Sequence, residues 1–255
     1  MPDRGPVAGS STNAKVRRAM VLAAGLGLRM RPITERLPKP LVPVAGRTLL
    51  DRAIDRLEEA EVEEVVVNVH YLADQVERHL AHRTTPRIVL STEPELLETG
   101  GGVQHALPLL GSEPFFVVNS DAVLLNGPRQ ALRNLAEAWD GARMDALMLL
   151  HATFETSGSD GTGDFTMDPN GRLRRRAPPH VAPYSFTGIQ VLHPRLFVDL
   201  PDPPFSLNIL YNRAIASGRL YGILHDGKWF HVGSPEDLAG AEAYLSRQQL
   251  GVRRT

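Results

Sequence analysis

The sequence predicts an α/β fold: a mixed, mostly parallel sheet covered by helices on both faces, in three layers. Three observations predict it. Short apolar runs at 19–22, 62–69, 115–118 and 145–150 alternate with segments whose apolar residues recur at helical spacing. The run at 62–69 is nearly continuous valine after two glutamates, as a strand buried on both faces requires. Strands alternating with helices imply βαβ units, whose right-handed crossovers lay helices over parallel strands.

Residues 1–15 are rich in Pro, Gly, Ser and Asn without an apolar core, and are expected to form a disordered tail rather than a signal peptide. Residues 16–250 read as one domain. The first strand, 19–22, stops at small residues and two glycines. Residues 48–60 carry Leu49, Leu50, Ile54 and Leu57 on one helical face. A strand at 62–69, a helix at 72–80 and a strand at 87–90 follow. Glu98-Thr-Gly-Gly-Gly102 reads as a break opening a short helix through Leu107. The run 115–118 is a buried strand ending at Asn119-Ser120-Asp121, 127–139 is helical, and 145–150 is a strand.

The pattern changes after His151. Residues 155–163 read as a loop, and Asp168-Pro-Asn-Gly171 as a turn between short strands at 164–167 and 172–176. A strand is expected at 184–192, and helices at 193–199 and 206–217. The runs 220–224 and 228–232 are expected to pair around Asp226-Gly227. Ser234-Pro-Glu-Asp237 has the chemistry of a helix start, with an N-cap, an N1 proline and first-turn acids, and that helix runs to about Arg247.

With 255 residues the chain can bury a substantial core. Its 28 Lys and Arg balance 29 Asp and Glu, so no global basic field exists to hold a nucleic-acid backbone. Cysteine is absent, which excludes disulfides and thiolate metal sites. No segment has the length of a membrane span, and a cytoplasmic location is the default expectation.

The chemistry concentrates behind the first strand. Gly25 and Gly27 match neither the dinucleotide fingerprint nor the classical phosphate-loop pattern. On spacing alone they are a phosphate-binding loop or a plain tight turn. Arg29, Arg31 and Lys39 follow, Lys39 between two prolines that stiffen its backbone. Cations beside bare backbone favour an anionic ligand. Asp121 follows a buried strand, at the sheet edge where open α/β sheets bind ligands, and a carboxylate there suits Mg²⁺ or an ordinary turn. Glu98–Gly102 either reads a base edge with its backbone or is only a helix entry.

Leu22 to Thr34, with Pro38 to Val44, resembles the first motif of the sugar-1-phosphate nucleotidylyltransferases. Asn119-Ser120-Asp121 is similar to that family's metal-binding aspartate motif, Glu98–Gly102 to its nucleobase turn, and Trp229 to Pro235 to its closing motif. Length, Leu97 to Val103 and Gly163-Asp164-Phe165 resemble most the branch that acts on N-acetylmuramate 1-phosphate with UTP, in peptidoglycan recycling. The resemblance implies a Rossmann-like fold of the nucleotide-diphospho-sugar transferase type. A nucleotide half (16–150) would be followed by a sugar-phosphate half (151–250). The substrates implied are a nucleoside triphosphate and a sugar 1-phosphate. Arg29, Lys39 and Asp121 would be catalytic. Leu22, Ala23, Ala24, Gly25, Gly27, Glu98, Gly100 and Gly101 would bind nucleotide, and Asn68, Asp164, Thr187 and Gly188 the sugar phosphate.

The family's second metal ligand is usually aspartate, and here it is His231. The implied metal set is Asp121 and His231, with Mg²⁺ or, because imidazole suits softer ions, Mn²⁺ or another divalent ion. Asp226 is a second candidate ligand. Mannose-1-phosphate guanylyltransferase specificity, or a nucleotide-sugar sensor with little turnover, remain alternatives.

Overall fold

The computed structural model describes residues 15–156 and 161–252, so the expected tail falls outside the described residues apart from Lys15, as do 157–160 of the expected loop. In chain order the elements are β1 (Arg18–Leu22), β2 (Pro43–Val44), β3 (Arg47–Thr48), α1 (Leu49–Glu59), β4 (Glu64–Val69), α2 (Ala73–Leu80), β5 (Arg87–Thr92), α3 (Glu98–Leu110), β6 (Phe115–Asn119) and β7 (Ala122–Leu125). They continue with α4 (Ala131–Glu137), β8 (Ala146–Ala152), β9 (Phe165–Met167), β10 (Leu173–Arg175), β11 (Tyr184–Leu192), α5 (Asn208–Ala216), β12 (Leu220–Leu224), β13 (Lys228–His231) and α6 (Pro235–Val252).

The main sheet runs β12-β8-β11-β6-β1-β4-β5, with the β9–β10 hairpin joined at the start of β11. All of these seven strands are parallel except β11, which is antiparallel to both β6 and β8. The start of β11 therefore lies at the carboxyl ends of β6 and β8. The valine strand is buried on both faces, as expected: Val65 and Val67 pack with Leu50, Ile54 and Leu57 of α1, and Val66 packs with Val103 and Ala106 of α3. α1, α2 and α4 cover one face, while α3 and α5 cover the other. Thr48 caps α1 by accepting the Asp51 N–H at 3.0 Å.

Four expectations need correction. The glycines of 98–102 do not break the chain: they lie in the first turns of α3, where Phe205 fills the space a side chain at Gly100 would need. The runs 220–224 and 228–232 do not pair with each other. β12 extends the main sheet beside β8, and β13 pairs with β7, which sequence reading missed. Residues 193–199 form only a 3₁₀ turn at Pro194–Phe197. The helix expected at 127–139 starts at Ala131, whose N–H is capped by Asn126 Oδ1 at 3.0 Å.

The β7–β13 ribbon sets the distance between two remote segments. It aligns His231 with Ala122, and the Val232 N–H donates to the Asp121 carbonyl at 2.8 Å. Val123, Phe230 and Val232 anchor it in a third core with Met30, Val42 and Ala241 of α6.

Candidate functional site

Two cavities open at the carboxyl ends of β1, β4 and β6. The larger, about 610 Å³, is lined by the 22–30 segment, Lys39, Asn68, Glu93, Glu98, Thr99 and Ser206. The smaller, about 340 Å³, is lined by Asp164, Thr187, Gly188, Trp229 and His231. Arg29, Asn119 and Asp121 line both, so the two cavities meet there.

The glycine loop is built to expose backbone. Gly27 has φ +63°, a left-handed conformation that costs an L side chain energy, and a Cβ there would sit 3.0 Å from Thr34 Cγ2. Thr34 fixes the turn by donating its hydroxyl to the Gly27 carbonyl at 2.8 Å. At Gly25 a Cβ would meet nothing within 4 Å. That glycine serves no packing need of the protein, and its bare face borders the larger cavity. Among the described residues, no backbone acceptor receives the N–H groups of Gly25 to Arg29. A run of free N–H groups is a cradle for anions.

Charge is focused where the cavities meet. Lys39 Nζ lies 3.0 Å from Asp121 Oδ2, with side chains 13% and 26% exposed. His231 Nδ1 lies 3.9 Å from the same oxygen, and His231 Nε2 lies 3.5 Å from Arg29 Nη2. Burial pushes the His231 imidazole below its usual range; Asp121 opposes this, while Lys39 and Arg29 reinforce it. A neutral imidazole keeps a lone pair available for a metal. One carboxylate and one imidazole facing each other fit a divalent ion whose other ligands come from phosphate and water. No group of three or more His, Cys, Asp or Glu gathers for a metal among the described residues. Asp226 lines neither cavity and lies 3.9 Å from Arg129, so it is not positioned to replace His231.

The structure gathers most of the sequence-expected residues. Leu22, Ala23, Ala24, Gly25, Gly27, Arg29, Lys39, Glu98 and Asp121 line the larger cavity, and Asp164, Thr187, Gly188 and His231 the smaller. Gly188, at φ +82° in a bulge of β11, lets Asn119 approach: a Cβ there would lie 2.9 Å from the Asn119 side chain. Asp164 Oδ2 accepts the Phe186 N–H at 2.8 Å, and the Thr187 hydroxyl donates to the Leu149 carbonyl at 2.8 Å.

Four residues lie outside the cavity expected for them. Gly100 and Gly101 line neither cavity, and both give their N–H to the Phe205 carbonyl, at 2.8 and 3.0 Å. Asn68 lines the larger cavity and not the one holding Asp164. Arg31 also lines neither. Glu93, Ser206 and Trp229 were missed as lining residues. Ser206 carries no sequence signal, since the turn before α5 reaches the larger cavity only through the fold.

Comparison with known proteins shows the family. Residues 19–160 match the MobA-like NTP transferase domain. The N-acetylmuramate alpha-1-phosphate uridylyltransferase of Caulobacter vibrioides is 47% identical over 233 residues, covering 89% of this chain and 96% of that protein. The enzyme of the same name from Neisseria meningitidis serogroup B is 34% identical, covering 89% and 97%. UDP-glucose pyrophosphorylase from Acinetobacter baumannii superposes with a TM-score of 0.77 at 18% identity, covering 94% of this chain and all of that one, and so shares the fold. No helix among the described residues is long and apolar enough to cross a membrane. The chain belongs to the sugar-1-phosphate nucleotidylyltransferases, within the MobA-like NTP transferase family.

Proposed function

We propose that this chain is an N-acetylmuramate 1-phosphate uridylyltransferase, acting in peptidoglycan recycling in the cytoplasm. A phosphate oxygen of the sugar 1-phosphate attacks the α-phosphorus of UTP. The new P–O bond forms as the bond between that phosphorus and the α–β bridging oxygen breaks, and pyrophosphate leaves with the electron pair. The observation that carries this reading is the meeting of two cavities at Arg29, Asn119 and Asp121. Two substrates can there bring reacting ends together over a shared charged floor.

UTP is assigned to the larger cavity and the sugar phosphate to the smaller, which corresponds to the division of the chain into 16–150 and 151–250. The free N–H groups of Gly25 to Arg29 hold phosphate oxygens. Lys39 and Arg29 offset the negative charge that brings two anionic substrates together. The nucleophile is a phosphate, already ionised at neutral pH, so no general base is needed. Positioning and charge stabilisation carry the catalysis. Asp121 and His231 would hold the divalent ion, Mg²⁺ or Mn²⁺, which supplies further charge neutralisation on the phosphates. Pyrophosphate release from UTP and N-acetylmuramate 1-phosphate tests the reading. Binding of both substrates without turnover, under every divalent ion tried, would favour the sensor alternative.

A further inference from the structure

Glu93 is a carboxylate buried to 2% exposure that lines the larger cavity, with no Lys, Arg or His within ion-pair distance among the described residues. Burying an uncompensated carboxylate is costly unless hydrogen bonds hold it. Those bonds show what it does. Glu93 Oε1 accepts the Asn68 side-chain amide at 2.6 Å, and Glu93 Oε2 accepts the Leu97 N–H at 3.2 Å, at the entrance to α3. Asn68, itself 3% exposed, uses its Oδ1 to accept the Ala23 N–H at 2.7 Å. A continuous chain of bonds thus runs from the start of the glycine loop, through Asn68 and Glu93, to Leu97, the residue just before α3. Gly102 keeps room for it, since a Cβ there would stand 2.7 Å from Glu93 Oε1.

Ala23 and Glu98 both line the cavity that the proposed function gives to the nucleotide. Among the described residues, no other hydrogen bond joins the glycine loop to the start of α3. We infer that Glu93 is a positioning residue for nucleotide binding: through Asn68 and Leu97 it sets the separation of the two walls that hold the nucleoside. This rests on the assignment of the nucleotide to the larger cavity. It also gives Asn68 to the nucleotide side, in place of the sugar-phosphate side that sequence reading expected.

The test uses Glu93→Ala, Asn68→Ala and Glu93→Gln. For each, equilibrium binding of UTP is measured directly, together with the KM values for UTP and for N-acetylmuramate 1-phosphate. Glu93→Ala and Asn68→Ala are expected to weaken UTP at least tenfold in both dissociation constant and KM, with the sugar-phosphate KM changed less than twofold. Glu93→Gln keeps an acceptor for Asn68 and is expected to recover most of the affinity. Equal rises in both KM values would indicate a merely structural role and overturn the inference. So would unchanged UTP affinity in Asn68→Ala, which also serves if Glu93→Ala does not fold. Wild-type protein that binds no nucleoside triphosphate would refute the functional reading itself. Binding without turnover would refute only the reaction, and the UTP dissociation constants would still decide the role of Glu93.

Discussion

Gly25 and Gly100 look alike in sequence, yet the structure gives them opposite reasons to lack a side chain, and alanine at each separates the two. A Cβ at Gly100 would lie 2.5 Å from the Phe205 ring and 2.8 Å from its carbonyl oxygen. The ring can shift, but the carbonyl is backbone. Overpacking of this kind costs about 1–3 kcal/mol. Moving Phe205 also stretches the two bonds from Gly100 and Gly101, worth about 1 kcal/mol each. Better helix propensity returns about 1 kcal/mol. The net loss is about 3 kcal/mol, or a fall in Tm of roughly 6–12 °C for a chain of this size. At Gly25 the same methyl group meets nothing, so Tm should stay within about 1 °C of wild type. The methyl would stand in the proposed nucleotide path, however, and the UTP KM should rise severalfold. Differential scanning calorimetry and steady-state kinetics read both variants. A Gly100→Ala protein as stable as wild type refutes the packing argument, and an unchanged UTP KM in Gly25→Ala refutes the close approach of ligand to the loop.

Lys39→Ala and Asp121→Ala should each lower turnover by about 10²–10³-fold, the scale of losing one charge-stabilising group, with near-native circular dichroism; wild-type rates in either remove that residue from the site. His231→Asp should shift metal preference toward Mg²⁺, read as a severalfold fall in the ratio of Mn²⁺- to Mg²⁺-supported rates; an unchanged ratio means that His231 does not touch the metal. Asp145 accepts hydrogen bonds from Arg195 and Arg219 at 2.5 and 2.8 Å. Burial raises its pKa, but the bonds to Arg219 and Arg195 together outweigh this and hold the carboxyl below its usual range. A depressed pKa contributes stability that is complete above the unfolded value of about 3.9 and is lost as pH falls through the folded one. Asp145→Asn should therefore cost about 2 kcal/mol at pH 7 by urea unfolding, with the gap to wild type closing in acid; a gap that does not change with pH removes the charge from the explanation.

The sheet was legible where burial is two-sided. The 62–69 valines and the 115–118 run had to be strands between helical layers, because both faces of each needed apolar cover. The glycine loop, Lys39 and Asp121 were legible as chemistry, since bare backbone, cations and a strand-end carboxylate coincide at one sheet edge. What stayed hidden depends on contacts between remote segments. Three glycines in a row look like a loop, and the groups that fill their Cβ positions, Phe205 at Gly100, Pro203 at Gly101 and Glu93 at Gly102, show only in the fold. β7 is four residues long and pairs with a strand that follows it by about 100 residues, so its bond to β13 leaves no local periodicity. The hydrogen bond from Asn68 to Glu93, which follows β5, is likewise invisible in the spacing of the 62–69 run.

The central claim is a reaction with two defined substrates, and a matrix of four nucleoside triphosphates against a panel of sugar 1-phosphates tests it most directly. Pyrophosphate release is read under Mg²⁺ and Mn²⁺, with the sugar nucleotide isolated from each productive pair. The account predicts that UTP with N-acetylmuramate 1-phosphate gives the highest kcat/KM and yields the UDP-sugar. Preferred turnover of another pair, such as GTP with mannose 1-phosphate, or no pyrophosphate from any pair, would contradict it.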